Sequence, residues 1–110
     1  MNERVLKYLY DISNSIGLIE EFMSDIKSFD QYVNDLKTKN AVERQLAIIG
    51  EALNKVLKEE PEIKISDSKD IINFRNRLVH AYDSIDDTII WAIKTKHLPV
   101  LKNEILNLLD

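Results

Sequence analysis

The side chains best suited to chemistry are concentrated in one short stretch of the sequence. Two arginines, an amide, an imidazole and a phenol stand there, as Arg75, Asn76, Arg77, His80 and Tyr82. An imidazole moves protons near neutral pH, and a guanidinium stays charged and holds a phosphate through paired N–H donors. Asn76 is placed to orient the imidazole or a substrate. The set is therefore suited to cleaving a phosphodiester without a metal ion.

The sequence offers few ligands for a metal ion or another cofactor. It contains no cysteine, which excludes a disulfide framework, thiol catalysis and Cys-ligated zinc or iron–sulfur sites. Only two histidines are present, and the one acidic residue close to His80 is Asp83. We therefore expect neither a metal nor a cofactor.

A helix that begins near Asp67 or Ser68 must position these residues, because the apolar residues that follow recur at helical spacing. On such a helix Asn76 and His80 share one stripe, whereas Arg75 and His80 lie about 140° apart around the axis. One helix therefore does not aim both well at a single point. Two arrangements remain open: two copies of the chain that line one cleft, or a site where the helix ends and the backbone turns.

Apolar seams with steps of three and four residues predict two long helices before this one. The first seam comprises Val5, Leu9, Ile12, Ile16, Ile19, Met23 and Ile26, and the second comprises Val42, Leu46, Ile49, Leu53 and Val56. Residues 28–39 predict a turn and a short helix that carries Phe29 and Tyr32. Asn40 with Glu43 resembles a capping box, although a helix that continues from about Thr38 fits equally well.

Prolines and caps divide the rest of the chain. Pro61 ends the second long helix, residues 61–66 form a loop, and a last helix begins at residues 84–87, with a kink or restart at Pro99. The sum is one all-α domain over residues 1–110, an up-and-down bundle of four long helices plus a short one. Leftover apolar surface, such as Trp91 and Phe74, is available for a dimer interface.

The formal net charge of −4 has the wrong sign for a protein that is held on nucleic acid by bulk electrostatics alone. Residues 1–36 carry three basic and seven acidic side chains, whereas residues 88–102 carry Lys94, Lys96 and Lys102 and no acid. A polyanion is therefore expected to approach the second half of the chain. No apolar run has the length of a membrane span, so we expect a cytoplasmic protein without membrane contacts.

Structural roles explain several of the same residues without any chemistry. Asn76 and His80 can satisfy each other across one turn, and His97 is expected on a solvated face beside lysines. The acidic residues from position 83 to 87 fit caps and helix starts better than ligands. The aromatic residues Tyr8, Tyr10, Tyr32 and Trp91 are most simply core or interface residues.

The run from Arg75 to Tyr82 contains the pattern R-x4-H-x-Y, and here the sequence resembles the HEPN superfamily, specifically the HepT-like toxins. The run from Ala41 to Ala52, which includes Ile49-Gly50-Glu51-Ala52, looks like the second long helix of that family. The stretches 89–91 and 98–99 match its C-terminal pattern. The resemblance extends from about residue 3 to residue 109.

The resemblance implies a helical homodimer whose two-fold cleft gathers both copies of the motif, and a metal-independent endoribonuclease that acts as a toxin. By position, Arg75 and His80 become the catalytic pair, with Asn76 and Arg77 in supporting roles. In such enzymes the RNA 2′-hydroxyl attacks the adjacent phosphate and leaves a 2′,3′-cyclic phosphate. His80 then serves as general base or acid, and Arg75 stabilises the phosphorane.

The resemblance also implies a partner, a minimal nucleotidyltransferase that acts as the cognate antitoxin. In that system the motif tyrosine, here Tyr82, receives AMP from ATP, and the added phosphates fill the cleft and repel RNA. Two other functions remain open. One is a non-catalytic binding module that docks or regulates such a transferase, and the other is a purely structural helical dimer.

Overall fold

A computed structural model describes all 110 residues, and they form helices in the order that the apolar seams predict. The elements are α1 (Glu3–Phe22), α2 (Phe29–Asn34), α3 (Leu36–Glu59), α4 (Ser68–His80), α5 (Asp87–Ala92) and α6 (Leu98–Leu109). A π-helical segment, Ile93–His97, joins α5 to α6 into one long rod. The chain therefore has four long helices and the short α2, which confirms the predicted all-α bundle. No helix has both the length and the apolar composition that a bilayer crossing requires.

The two predicted seams form the centre of the core. Helix α1 packs along α3, and α3 packs along α4. Helix α3 therefore lies between α1 and α4. All seam residues of α1 and α3 are buried, whereas Ile26, beyond the end of α1, is only half-buried. Burial of one such aliphatic side chain stabilises the fold by about 1.5–3 kcal/mol, and the seams therefore fix the packing of these helices.

Helix α3 begins earlier than either sequence alternative placed it. The Asp35 side chain accepts a hydrogen bond of 3.1 Å from the Thr38 amide and so caps a helix that starts at Leu36. The same hydrogen bond lowers the pKa of the Asp35 carboxyl. Asn40 consequently lies inside α3, and the capping box with Glu43 is wrong, because the helix already has an acceptor for its first free amides.

Asp67 precedes α4 as predicted, but its side chain does not cap the helix. Asp67 has a left-handed backbone with φ 59°, and its carboxylate lies 2.7 Å from Nδ1 of His97 instead. His97 is therefore not simply on a solvated face, because it joins the start of α4 to the π-helical segment. This contact joins residues that lie 30 positions apart, and a local sequence pattern does not predict such a contact.

Pro99 changes the hydrogen-bond pattern of the last helix, while the backbone at His97 and Leu98 keeps right-handed helical angles. Proline has no N–H, and its ring clashes with the carbonyl four residues earlier. The chain responds with the π-helical segment, in which the Leu98 amide donates to the Ile93 carbonyl, and α6 then begins with Pro99 in its first turn. The Thr95 hydroxyl donates to the Trp91 carbonyl over 2.8 Å and satisfies one of the carbonyls in this region.

Phe74 and Trp91 are not the free apolar surface that the sequence suggested. Phe74 belongs to the core, and the Trp91 ring lies 5.9 Å from the Phe29 ring and 6.1 Å from the Tyr32 ring. For Trp91 the reason is that α2 folds back onto α5 and covers its ring within one chain. The large apolar side chains that remain exposed include Tyr10, Leu18, Val79 and Tyr82.

Candidate active site

The C-terminal half of α4 carries the motif, and a glycine on α3 sets how closely the two helices approach. Gly50 is buried against α4. A Cβ at this position would overlap the Cβ of Arg75, lie 2.9 Å from its Cγ and lie 3.2 Å from the Ile71 carbonyl. Because Gly50 has no side chain, α4 can pack directly against α3 at the position of Arg75.

Arg75 is held by two partners at the surface of this contact. One terminal nitrogen lies 2.7 Å from the carboxylate of Glu51, and the other donates to the amide oxygen of Asn76 over 3.0 Å. Its Nε is buried without a hydrogen-bond partner, and about a quarter of the side chain is exposed. The guanidinium is thus fixed in position while other N–H groups remain available to an anion.

His80 is the last residue of α4, and its exposed side chain makes no hydrogen bond or ion pair with the rest of the chain. Asn76 bonds to Arg75 and not to His80, so the interpretation in which Asn76 and His80 satisfy each other is wrong. An imidazole without an internal partner can donate to or accept from a bound molecule through both ring nitrogens. The structure therefore leaves both ring nitrogens of His80 unpaired.

Arg77 and Tyr82 occupy different surroundings from Arg75. Arg77 donates to the Ser84 carbonyl over 3.1 Å and so ties the end of α4 to the 3₁₀ turn Tyr82–Ser84. It lines a separate groove of about 480 Å³ between α4 and α5. Tyr82 is 78% exposed, and its hydroxyl has no hydrogen-bond partner in the chain. Arg77 supports the backbone that follows His80, whereas Tyr82 is open to modification.

One chain does not join the two predicted catalytic residues. No hydrogen bond connects Arg75 to His80, and their spacing of five positions places them about 140° apart on the α4 surface. Arg75 faces α3, whereas His80 lies at the exposed helix end. Within one chain, therefore, no contact joins the two side chains into a single site.

Sequence reasoning missed Glu51 as a member of the site. Glu51 stands outside the apolar seam of α3, which favours a solvated position, but in the structure it contacts both Arg75 and Lys55. A signal was present, because Gly50 interrupts an otherwise strong helical pattern, and a glycine inside a helix often marks a close approach of two backbones. No group of three or more His, Asp or Glu side chains is arranged to hold a metal ion.

The chain matches the model of a known protein family and is similar to several named proteins. A family model described as "HepT-like: Ribonuclease HepT-like" matches residues 12–108. The chain is 37% identical over 101 residues to a Thermococcus cleftensis protein named "Probable ribonuclease HepT", with 88% of each chain covered.

Two further relatives cover nearly the whole chain. A Methanocaldococcus jannaschii protein named "Putative RNase MJ1380" is 34% identical over 110 residues, covering 96% of this chain and 97% of that protein. A Caldanaerobacter subterraneus protein named "Putative RNase TTE0752" is 34% identical over 105 residues, with 94% and 92% covered. No solved structure matches the chain.

Proposed function

Since the chain belongs to the ribonuclease HepT-like family, we propose that it is a metal-independent endoribonuclease whose cleavage site is built from Arg75 and His80. The observation that carries this proposal is the contrast between the two residues. Arg75 is fixed by Gly50 and Glu51, as a phosphate-binding group requires, whereas His80 has no internal partner and is free to transfer protons. The role of a toxin in a toxin–antitoxin module is part of the same proposal.

The proposed reaction uses only groups of the protein and the RNA. His80 removes the proton from a 2′-hydroxyl, and the 2′-oxygen then forms a bond to the adjacent phosphorus. The bond from phosphorus to the 5′-oxygen breaks, and that oxygen leaves with a proton. Arg75 donates hydrogen bonds to the phosphate oxygens, on which negative charge increases in the transition state. The products are a 2′,3′-cyclic phosphate and a 5′-hydroxyl.

A homodimer explains how the two residues meet. In a two-fold cleft, His80 of one protomer and Arg75 of its partner face the same phosphate, and the second imidazole is available to protonate the leaving oxygen. Val79 on α4 and Tyr10 on α1, both about half exposed, provide apolar surface for such a contact. Phe74 is buried in the core of one chain and therefore contributes nothing to the surface of this dimer contact.

Cleavage of total RNA by the purified protein in excess EDTA tests the reaction. We expect endonucleolytic cuts whose 3′ ends resist a phosphatase that removes phosphomonoesters but become sensitive to it after acid opens the cyclic phosphate. The same rate with and without EDTA is expected, because neither Arg75 nor His80 requires a metal. Cleavage that depends on added Mg²⁺, or open 3′-hydroxyl ends, would contradict the mechanism.

We further propose that Tyr82 is the point at which a partner nucleotidyltransferase neutralises the enzyme. The Tyr82 hydroxyl attacks the α-phosphorus of ATP, pyrophosphate leaves, and the tyrosine carries AMP. Tyr82 is the most exposed large apolar or aromatic residue of the chain and stands two positions after His80. An added phosphodiester there brings negative charge and bulk to the cleft and so excludes RNA.

Mass spectrometry after incubation with the cognate transferase and ATP tests this modification. A gain of about 329 Da or a multiple of it is expected, because that is the mass of one AMP group minus water. The Tyr82→Phe variant should gain nothing. Tyr10→Phe is the matched control, because Tyr10 is also exposed, and it should gain the same mass as the wild type. An unchanged gain in Tyr82→Phe would remove the proposal.

A non-catalytic binding module is the second candidate, and one observation favours it. The guanidinium of Arg75 is already neutralised by Glu51 in the single chain. If that pair persists in the presence of RNA, the exposed end of α4 serves only to dock a transferase. A protein that never cleaves RNA, but changes the activity of a cognate transferase, would establish this function in place of the first.

A further inference from the structure

A groove walled by α1, α3 and α4 carries an excess of positive charge beside Arg75. We call it the basic groove. It has a volume of about 260 Å³, and its ionisable lining groups are four cations and two carboxylates: Lys7, Arg44, Lys55, Arg75, Asp11 and Glu51. The whole chain has a formal net charge of −4, so this local surplus is opposite in sign to the protein. An anion is therefore attracted to this groove although the protein as a whole is negatively charged.

The two carboxylates balance only part of the positive charge of the four cations in the basic groove. Asp11 pairs with Lys7 over 2.7 Å, and Glu51 is shared between Arg75 and Lys55. Arg44 is exposed and has no acidic partner. Exposed ion pairs contribute only about 0–1 kcal/mol, so a phosphate can compete for the lysines without a large loss in the protein.

The aromatic ring of Tyr8 lies near both lysines of the basic groove. The Lys7 ammonium lies 5.5 Å from the ring centroid, and the Lys55 ammonium lies 5.4 Å from it. Each contact is a cation–π interaction, which lowers the freedom of a long side chain. Cations from α1 and α3 are thus concentrated at one place, although they stand 48 positions apart in the sequence.

The basic groove leads toward the proposed cleavage site. Arg75 forms part of its α4 wall, and Val79, one turn further along α4, lines it as well. His80 is the next residue and ends the helix. An RNA strand whose phosphates contact Arg75 in the groove therefore lies within about one helical turn of the end of α4.

We infer that the basic groove binds the phosphate backbone of single-stranded RNA next to the bond that is cut, with Arg44, Lys7 and Lys55 as phosphate contacts. This inference rests on the proposed ribonuclease function. A single strand fits better than a duplex, because in-line attack by a 2′-hydroxyl needs a sugar–phosphate backbone that is free to rotate. A positive groove that follows the backbone is the usual way to hold such a strand.

The inference changes where RNA is expected to approach. The charge distribution along the sequence favoured the lysines of residues 88–102. In the structure, Lys94 lies over the Trp91 ring and lines a different groove beside the C-terminal end of α1. That groove begins at Ile19, eight residues beyond Asp11, which is a distance of about 12 Å along the α1 axis. The two sites can therefore be tested separately.

Salt-dependent binding of a fluorescent 12-nucleotide RNA tests the groove. All proteins carry His80→Ala, so that the probe stays intact. Arg44→Gln removes one unpaired cation, and we expect the slope of log K against log salt to decrease by about 0.7, with about fivefold weaker binding at 0.1 M salt. Adding Lys55→Gln should roughly double the change in slope. The matched control, Lys94→Gln with Lys96→Gln, removes two charges and should leave the slope unchanged.

Each result has a distinct meaning. An unchanged slope in Arg44→Gln, or a larger loss in the Lys94 and Lys96 control, overturns the inference. A dimer that dissociates in Arg44→Gln also overturns it, because the groove is then covered by a second copy. If the His80→Ala protein binds through Arg44 but the wild type never cuts RNA, the proposed function fails and the groove remains. If the wild type cuts RNA and the slope does not change in Arg44→Gln, the groove does not bind RNA and the proposed function remains.

Discussion

Replacement of His80 by alanine is expected to lower the rate of RNA cleavage by about 10²–10⁴-fold, the range that a general acid or base contributes. His80 is exposed and has no partner within the chain, so its removal costs the fold little. The variant should therefore melt at the wild-type temperature and keep the wild-type oligomeric state in light scattering. The measurement is the initial rate on a defined RNA in EDTA, with melting followed by circular dichroism.

The only other histidine is a suitable control for this variant. His97 contacts Asp67 and lies outside the motif, so His97→Ala should keep the cleavage rate while the melting temperature falls slightly. A catalytic His80 predicts that His80→Ala loses the cleavage rate and keeps its melting temperature. His97→Ala should instead keep the rate and melt at a slightly lower temperature. Full activity in His80→Ala would exclude the proposed site. Activity lost equally in both variants would point to folding instead.

Replacement of Gly50 by alanine is expected to disrupt both stability and activity. The added Cβ would overlap the Cβ of Arg75, and no side-chain rotation relieves a clash between two atoms that are fixed to backbones. Helices α3 and α4 must then separate, at a cost of about 1–3 kcal/mol, which exceeds the gain of about 0.5–1 kcal/mol from alanine in a helix. Arg75 moves with α4, and a displacement of 1 Å at a reacting group costs about 100-fold in rate.

The other glycine of the chain provides the matched control for this prediction. Gly17 lies in α1, and a Cβ built there meets nothing within 4 Å. Gly17→Ala should therefore stabilise the protein by about 0.5–1 kcal/mol and leave the cleavage rate unchanged. Thermal melting and the RNA assay are measured on both variants. If Gly50→Ala is as stable and as active as Gly17→Ala, the close contact is not what positions Arg75.

Much of the fold could be predicted because it depends on periodicity along the chain. The seams of α1 and α3 follow one face of a helix, and that information is local. Helix ends were harder, since Asp35 and Asn40 both offer a capping oxygen and only the three-dimensional path of the chain selects between them. Phe74 and Trp91 were misplaced for a related reason, because their covering by neighbouring helices is not written into any single segment.

The sequence by itself determined the helical class, the seams and the chemical set on α4, because residue type and spacing are enough for each of these. Only the tertiary structure decided how the set is arranged. It brought Glu51 onto Arg75, left His80 without a partner, and gathered cations from α1 and α3 at one groove. The physical reason is that electrostatic contacts act through space. Charges that are dozens of positions apart become neighbours only when the apolar seams pack the helices together.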